Sequence, residues 1–247
     1  MTNSSLLGRR VLIVGASSGI GAALAKAVVA DGGDVAISGR RADRLASLVD
    51  DMGRGHAVPG DASIPEDAQR VAEEAVAAMG GLDLAVYVAG YGVLQPLTET
   101  DPELWGEVFK VNVIGANLAA AATLNYLGRT GLMAFISSRT VEDGNAFFGS
   151  YSATKAALDQ CIRIWRAEHP DRRFMRVVMG NTYPTEFAEH MRPEFLGAAL
   201  EAWEAQGIPG GIMDVDDVAS ALSSSFAVAL DHPEIDSSEL KFDARPE

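Results

Sequence analysis

Arg10-Val-Leu-Ile-Val14 runs straight into Gly15-Ala-Ser-Ser-Gly19-Ile-Gly21, which opens onto Ala22-Ala-Leu-Ala-Lys26. The first run is apolar on consecutive residues, as expected of a strand covered on both faces; a strand with one wet face would alternate. The alanine-rich run reads as a helix. Three glycines between them allow a tight turn and let bare backbone approach a pyrophosphate, whose charge then sits at a helix N-terminus. The spacing is G-x-x-x-G-x-G rather than the commoner G-x-G-x-x-G. A glycine triplet alone is a weak sign, since any strand-to-helix turn can hold one. Its place between the first strand and first helix of an alternating chain gives it force.

That alternation continues outward. Strand-like runs fall at 10–14, 34–38, 55–59, 82–88, 132–137 and 175–179, with helical stretches near 19–31, 41–52, 65–79, 101–127 and 151–168. Strands separated by helices imply right-handed crossovers and a parallel sheet. The expected fold is a doubly wound α/β/α sandwich of Rossmann type. No linker, repeat or compositional break divides residues 1–247, which read as one dinucleotide-binding domain. Between Thr185 and Gly211 the strand rhythm stops, and Phe187, Met191, Phe195, Leu196 and Trp203 appear among Pro184, Pro193 and Pro209. A segment of this kind after a strand's carboxyl end is either a substrate lid or a helical excursion packed on the core.

Composition narrows the partners. Of 247 residues, 48% are hydrophobic and 22% charged, an ordinary globular balance. The formal charge of −14 would repel a phosphate backbone, and Arg40, Arg41 and Arg44 are too few for a duplex footprint. No nucleic-acid or membrane partner is expected, since no run of about 18 apolar residues exists. Cys161 is the single cysteine, so no intramolecular disulfide can form. The opening residues lack the apolar stretch of a secretion signal, and a cytoplasmic location is expected. His56, His169, His190 and His232 are scattered without metal-ligand spacing, so no metal site is expected. Asp214, Asp216 and Asp217 read as caps of a following helix. Asp159, Cys161 and Trp165 read as helix-packing residues.

Two further features point to chemistry. The second strand ends at Ile37-Ser38-Gly39, followed by Arg40. An acidic residue near here would bind a ribose 2′-hydroxyl, whereas an arginine accommodates a 2′-phosphate, so NADP(H) is favoured over NAD(H). Tyr151-Ser-Ala-Thr-Lys155 places a phenol and an ammonium on one helical face. A tyrosine titrates near pH 10 in water, and a neighbouring cation is expected to lower that value toward general acid/base use. Ser138 closes the fifth strand at the sheet's carboxyl edge, where its hydroxyl can orient a substrate carbonyl.

Gly15-x-x-x-Gly19-x-Gly21, Asp61 after the third strand, Asn112 in Val111-Asn-Val, Ser138 and Tyr151-x-x-x-Lys155 together resemble the short-chain dehydrogenase/reductase family over about residues 8–187. The resemblance implies Tyr151 as general acid/base, with Lys155 binding the nicotinamide ribose and lowering the tyrosine's pKa. It implies that Ser138 holds the substrate oxygen and that Asn112 holds a water linking Lys155 to solvent. The implied cofactor contacts are Gly15, Ser17, Ser18, Gly19, Ile20, Gly21, Arg40, Asp61, Ala62, Ala89, Gly90, Tyr151, Lys155 and Thr185. The implied substrate is a small carbonyl or alcohol, and the implied assembly a homodimer or homotetramer. Leu118, Leu124, Leu158, Ile162 and Trp165 supply apolar surface beyond one helical stripe.

The chain departs from the family's pattern in places. Val14 stands where a threonine is usual, Tyr87-Val88-Ala89-Gly90 replaces N-N-A-G, Gly180-Asn181 replaces P-G, and no glycine-rich ending follows. The changes near 87 and 180 motivate an alternative, a non-redox dehydratase or cyclase on the same fold. A dinucleotide sensor without turnover is a third reading, but it would have no need of Ser138, Tyr151, Lys155 and Asn112 together.

Overall fold

The computed structural model describes residues 4–187, 191–208 and 210–245. His190, Pro209 and part of the expected 185–211 lid therefore lie outside the described residues. The elements, in order, are β1 (Arg10–Val14), α1 (Gly19–Ala30), β2 (Asp34–Ser38), α2 (Ala42–Met52), β3 (His56–Ala57), α3 (Pro65–Met79), β4 (Leu84–Tyr87) and α4 (Pro102–Phe109). A π-helical segment, Lys110–Gly115, leads into α5 (Ala116–Leu127), β5 (Leu132–Ser138), α6 (Thr140–Asp143), α7 (Gly149–Glu168) and β6 (Arg173–Met179). The chain continues through β7 (Thr182–Tyr183), α8 (Pro193–Ala205), β8 (Met213–Asp214), α9 (Val215–Asp231) and β9 (Glu239–Phe242).

Seven strands form one parallel sheet in the order β3-β2-β1-β4-β5-β6-β9, and β7 pairs with β8 in a separate ribbon. The doubly wound sheet read from the sequence is the sheet the chain builds. Four of the five residues in β1 and in β2 are buried, as their unbroken apolar runs require. On one face Leu24 and Val28 of α1 and Leu222 and Phe226 of α9 pack against Val11, Ile13 and Val35. On the other, Val71 of α3, Ala119 of α5 and Leu158 and Ile162 of α7 cover Leu12, Ala85 and Phe135.

Three expectations need correction. The third strand shrinks to two residues at the sheet margin. The helix expected over 101–127 is interrupted by the π-helical segment, and Asp101 caps its start by accepting from the Leu104 amide at 2.8 Å. Leu158 and Ile162 face the sheet rather than solvent. β9 was not anticipated. It is an edge strand of four residues with alternating exposure, too short and polar to stand out as a strand. Asp214, by contrast, caps α9 as read, accepting from the amides of Asp216 and Asp217.

β1 lies between β2 and β4, so connections leave it in opposite directions and open a crevice at the carboxyl edge. Register keeps that edge level, with Val14 opposite both Ser38 and Tyr87.

Candidate active site

The first glycine turn is bolted to its neighbours. The amides of Gly15 and Ala16 donate to the Ser38 carbonyl at 2.8 and 3.0 Å, and those of Val88 and Ala89 donate to the Val14 carbonyl. Gly15 has φ +99°, and a Cβ there would collide with the Ala89 backbone. Both constraints demand glycine. Ser18 at the N-cap of α1 uses its side chain for no cap bond, and the first turn holds no acidic residue, so the helix N-terminus is free to meet an anion.

This turn forms one end of a cavity of about 900 Å³. Every cofactor-contact residue expected from the sequence lines it, from Gly15 through Arg40, Asp61, Ala89 and Gly90 to Thr185. Arg40 is exposed on the rim. Asp61 accepts from the amide and hydroxyl of Ser63 at 2.9 and 2.6 Å, which holds its carboxyl below the usual range despite its burial.

Ser138, Tyr151 and Lys155 converge on the opposite wall. Strand β5 delivers Ser138 at its last position, and its hydroxyl accepts from Thr140 Oγ1 at 3.0 Å. Helix α7 carries Tyr151 and Lys155 one turn apart. The Lys155 ammonium is 2% exposed and donates to the Ile136 carbonyl at 2.8 Å, 5.8 Å from the Tyr151 ring centre. Burial pushes the Tyr151 phenol up to about 12, against the pull of the Ser138 hydroxyl, and pushes Lys155 down to about 8. The expected lowering of the tyrosine is therefore reversed here. Desolvation outweighs the neighbouring groups, and the lysine's proton is directed at a backbone carbonyl.

Asn112 lies just behind the wall, fully buried at the third position of the π-helical segment. Its amide donates to the Tyr91 carbonyl at 2.8 Å and to Thr154 Oγ1 at 2.9 Å, and its oxygen accepts from the Tyr91 amide at 2.8 Å. One wide turn of helix thus aims a side chain at the loop after β4 and at α7, a common use of π-bulges.

The two unusual stretches are absorbed by packing. Tyr87 donates to the Val111 carbonyl at 2.6 Å. Gly180 donates its amide to the Phe242 carbonyl at 2.9 Å, a bond that proline could not make.

Beyond Tyr151 the cavity turns apolar. Trp203 of α8 stacks on Phe148 with ring centres 5.3 Å apart and donates to the Ala146 carbonyl, while Phe187 sits 5.0 Å from the Tyr151 ring. The described part of the 185–211 segment forms helix α8, which packs on the core and also faces the cavity. Ala199 packs into a small core with Leu94 and Phe148, and Leu196, Leu200 and Trp203 line the cavity.

Some neighbours were not found from the sequence. Asp159, one turn beyond Lys155, is not a mere packing residue; it accepts from Ser137 at 2.6 Å and pairs with Arg176 at 2.8 Å. The clue was a charged Arg176 inside an otherwise apolar strand, which requires a partner. Arg139, following Ser138, is held by Asp143 and by Asp243 beyond β9. Arg41 reaches the hydroxyls of Ser17 and Ser18 and the carboxylate of Glu186. Among the described residues no group of three or more His, Cys, Asp or Glu side chains is placed to hold a metal, and no helix is long and apolar enough to cross a membrane.

Comparison with known proteins agrees with this geometry. The family model described as short chain dehydrogenase matches residues 9–195. A glucose 1-dehydrogenase of Gluconobacter oxydans is 33% identical over 174 residues, 67% of this chain and 65% of that protein. The chain thus spans slightly under two thirds of that relative's length. An alcohol dehydrogenase of Thermococcus sibiricus, solved with 5-hydroxy-NADP, superposes with TM-score 0.80 at 26% identity, covering 97% of this chain and 99% of that one. A short chain dehydrogenase of Burkholderia cenocepacia, solved with NADP, gives TM-score 0.81 at 28% identity, covering 97% and 98%. With the family model matched over residues 9–195 and the fold shared along nearly the whole chain, this chain belongs to the short-chain dehydrogenase/reductase family of oxidoreductases.

Proposed function

We propose that this chain is an NADP(H)-dependent oxidoreductase that interconverts a small carbonyl compound and its alcohol. The observation that carries the reading is one cavity with two chemically different ends: a free helix N-terminus beside Arg40 at one, and Ser138, Tyr151 and Lys155 beneath an apolar vault at the other. The residues present fit a dinucleotide. Unspent amide donors in the first turn of α1, Gly21 among them, and the Ser17 and Ser18 hydroxyls are a donor set for phosphate oxygens, and the bare backbone of Gly15 leaves room for them to approach. Two structural neighbours at 26% and 28% identity carry NADP-type ligands, which supports the assignment.

When bound, the nicotinamide supplies or takes up hydride. The chain's own groups do the rest. Ser138 holds the substrate oxygen beside the phenol, and Tyr151 donates the proton when a carbonyl is reduced. Its burial suits that direction, because a phenol near 12 keeps its proton throughout the neutral range. Lys155 is the fixed cation of the site. Trp203, Phe187 and Leu200 exclude water and favour an apolar body on the substrate. Arg40, on the rim near Asp61, attracts a 2′-phosphate.

The test is consumption of NADPH and of NADH, followed by loss of nicotinamide absorbance, across a panel of apolar ketones and aldehydes. NADP⁺ should bind at least about tenfold tighter than NAD⁺, about 1.4 kcal/mol, and Arg40→Ala should erase the gap. Equal affinities in the unmodified protein would remove the case for NADP, and no turnover with any carbonyl would remove the case for reduction.

A further inference from the structure

Glu186 directly follows Thr185 at the cavity rim. Its carboxylate accepts from Arg41 Nη1 at 2.6 Å on one oxygen and from Arg44 Nη1 on the other. Arg41 commits four of its five N–H donors to this arrangement, since its Nε and Nη2 donate to Ser17 Oγ at 3.1 and 2.8 Å and Nη2 also reaches Ser18 Oγ at 2.9 Å. Two guanidiniums and two serine hydroxyls beside a free helix N-terminus are the groups that receive phosphate oxygens, and here a carboxylate from the chain itself takes the guanidiniums. Arg41 above all, then Arg44 and Ser18, hold that carboxyl down at about 2, so it stays anionic at any working pH. Its neighbour Thr185 packs against the same turn, where a Cβ on Gly19 would lie 3.3 Å from the threonine Cβ.

We propose that Glu186 is a displaceable internal anion, standing on Arg41 and Arg44 in place of a phosphate of the dinucleotide. The inference rests on the dinucleotide reading above. Binding of that phosphate and release of Glu186 from the two arginines are then one event. Coupling is reciprocal: whatever holds Glu186 down weakens the phosphate, and the phosphate frees Glu186 next to Phe187, whose ring stands against Tyr151 at the substrate end. Glu186 also becomes a specificity residue, because a ligand without a phosphate at this subsite has nothing with which to displace it.

The test measures dissociation constants of NADP⁺ and NAD⁺ by calorimetry, independent of turnover. Glu186→Gln keeps the shape and removes the competing charge, and should tighten binding at least about fivefold, the low end of ordinary coupling between sites. Tightening confined to NADP⁺ identifies the 2′-phosphate as the displacing group; equal tightening of both identifies the shared pyrophosphate. Asp43→Asn removes one exposed negative charge from the same first turn of α2 and should leave both constants within about twofold, as expected of a screened, exposed charge. Unchanged affinity in Glu186→Gln, or equal tightening by Asp43→Asn, overturns the proposal while leaving the dinucleotide reading intact. Absence of dinucleotide binding by the unmodified protein overturns both.

Discussion

The hydroxyl of Tyr87 lies over Gly115 and donates to the carbonyl of Val111, so the last residue of β4 is tied to both flanks of the π-helical turn that carries Asn112. The ring is 1% exposed, and burial raises its pKa well above that of an ordinary tyrosine. A Cβ at Gly115 would collide with the Tyr87 oxygen. The family's usual asparagine at position 87 is much smaller, so tyrosine and glycine form a matched pair.

Stability should reveal that pairing. Gly115→Ala overpacks the site and should cost about 1–3 kcal/mol. Tyr87→Phe leaves the Val111 carbonyl without its donor and should cost about 1–3 kcal/mol. The double variant should be less destabilised than the sum, by about 0.5–3 kcal/mol, because the atom that collides is the atom removed. Urea unfolding of the four proteins measures this, and strict additivity would separate the two residues.

Tyr151→Phe keeps the ring against Phe148 and Phe187 and removes the hydroxyl that carries the exchangeable proton. If Tyr151 is the acid/base, turnover should fall by about 10²–10⁴-fold. Affinity for NADP(H) should change little, because the phosphate-facing groups lie at the other end of the cavity. Lys155→Ala should lower turnover and affinity together. Near-normal carbonyl reduction by Tyr151→Phe would refute the mechanism and leave the fold untouched.

How much of this was legible in the residues follows from where the information sits. β1 and β2 were plain because a doubly covered strand writes itself as a continuous apolar run. The glycine turn was plain because its spacing is local. Tyr151 and Lys155 share one helical face, so their proximity was local as well. What escaped depended on contacts distant in sequence. Arg41 meets Glu186 across 145 positions and Arg139 meets Asp243 across 104, separations at which no local pattern operates. The direction of the Tyr151 shift escaped for another reason. Spacing shows that a cation is near, but burial, which decides the sign, belongs to the folded state.

Assembly is the next prediction. Leu158 and Ile162 are in the core, yet α5, α7 and the turn before α5 still expose apolar groups: Ile114 at 44%, Tyr126 at 37% and Ile164 at 46%. Phe109, at the end of α4, is 41% exposed. Large apolar groups grouped on neighbouring helices are what an interface between copies requires. Light scattering at micromolar concentration should give the mass of a dimer or tetramer, and Tyr126→Glu with Ile164→Glu should reduce it. A monomeric mass for the unmodified protein would contradict the prediction.

The buried lysine makes a prediction about pH whose sign can be worked out. Lys155 titrates near 8 in the folded protein and near 10.5 when exposed, so between those values the unfolded chain binds a proton that the folded chain has released. Stability therefore rises as pH increases through that window. Tyr151 acts in the opposite sense above its exposed value of 10, because the folded protein keeps a phenolic proton up to about 12 that the unfolded chain loses. Resistance to urea should climb from about pH 8, flatten near pH 10 and then fall. Lys155→Met should abolish the climb, and Tyr151→Phe should lessen the later fall without removing it, because the buried Tyr87 phenol is raised as well and adds to the fall in the same sense. Activity should run against stability over the first window, since a site that depends on the Lys155 ammonium weakens as that proton leaves. A stability curve that is flat between pH 8 and pH 10 in the unmodified protein would show that Lys155 is not desolvated as its place beneath Ile136 requires.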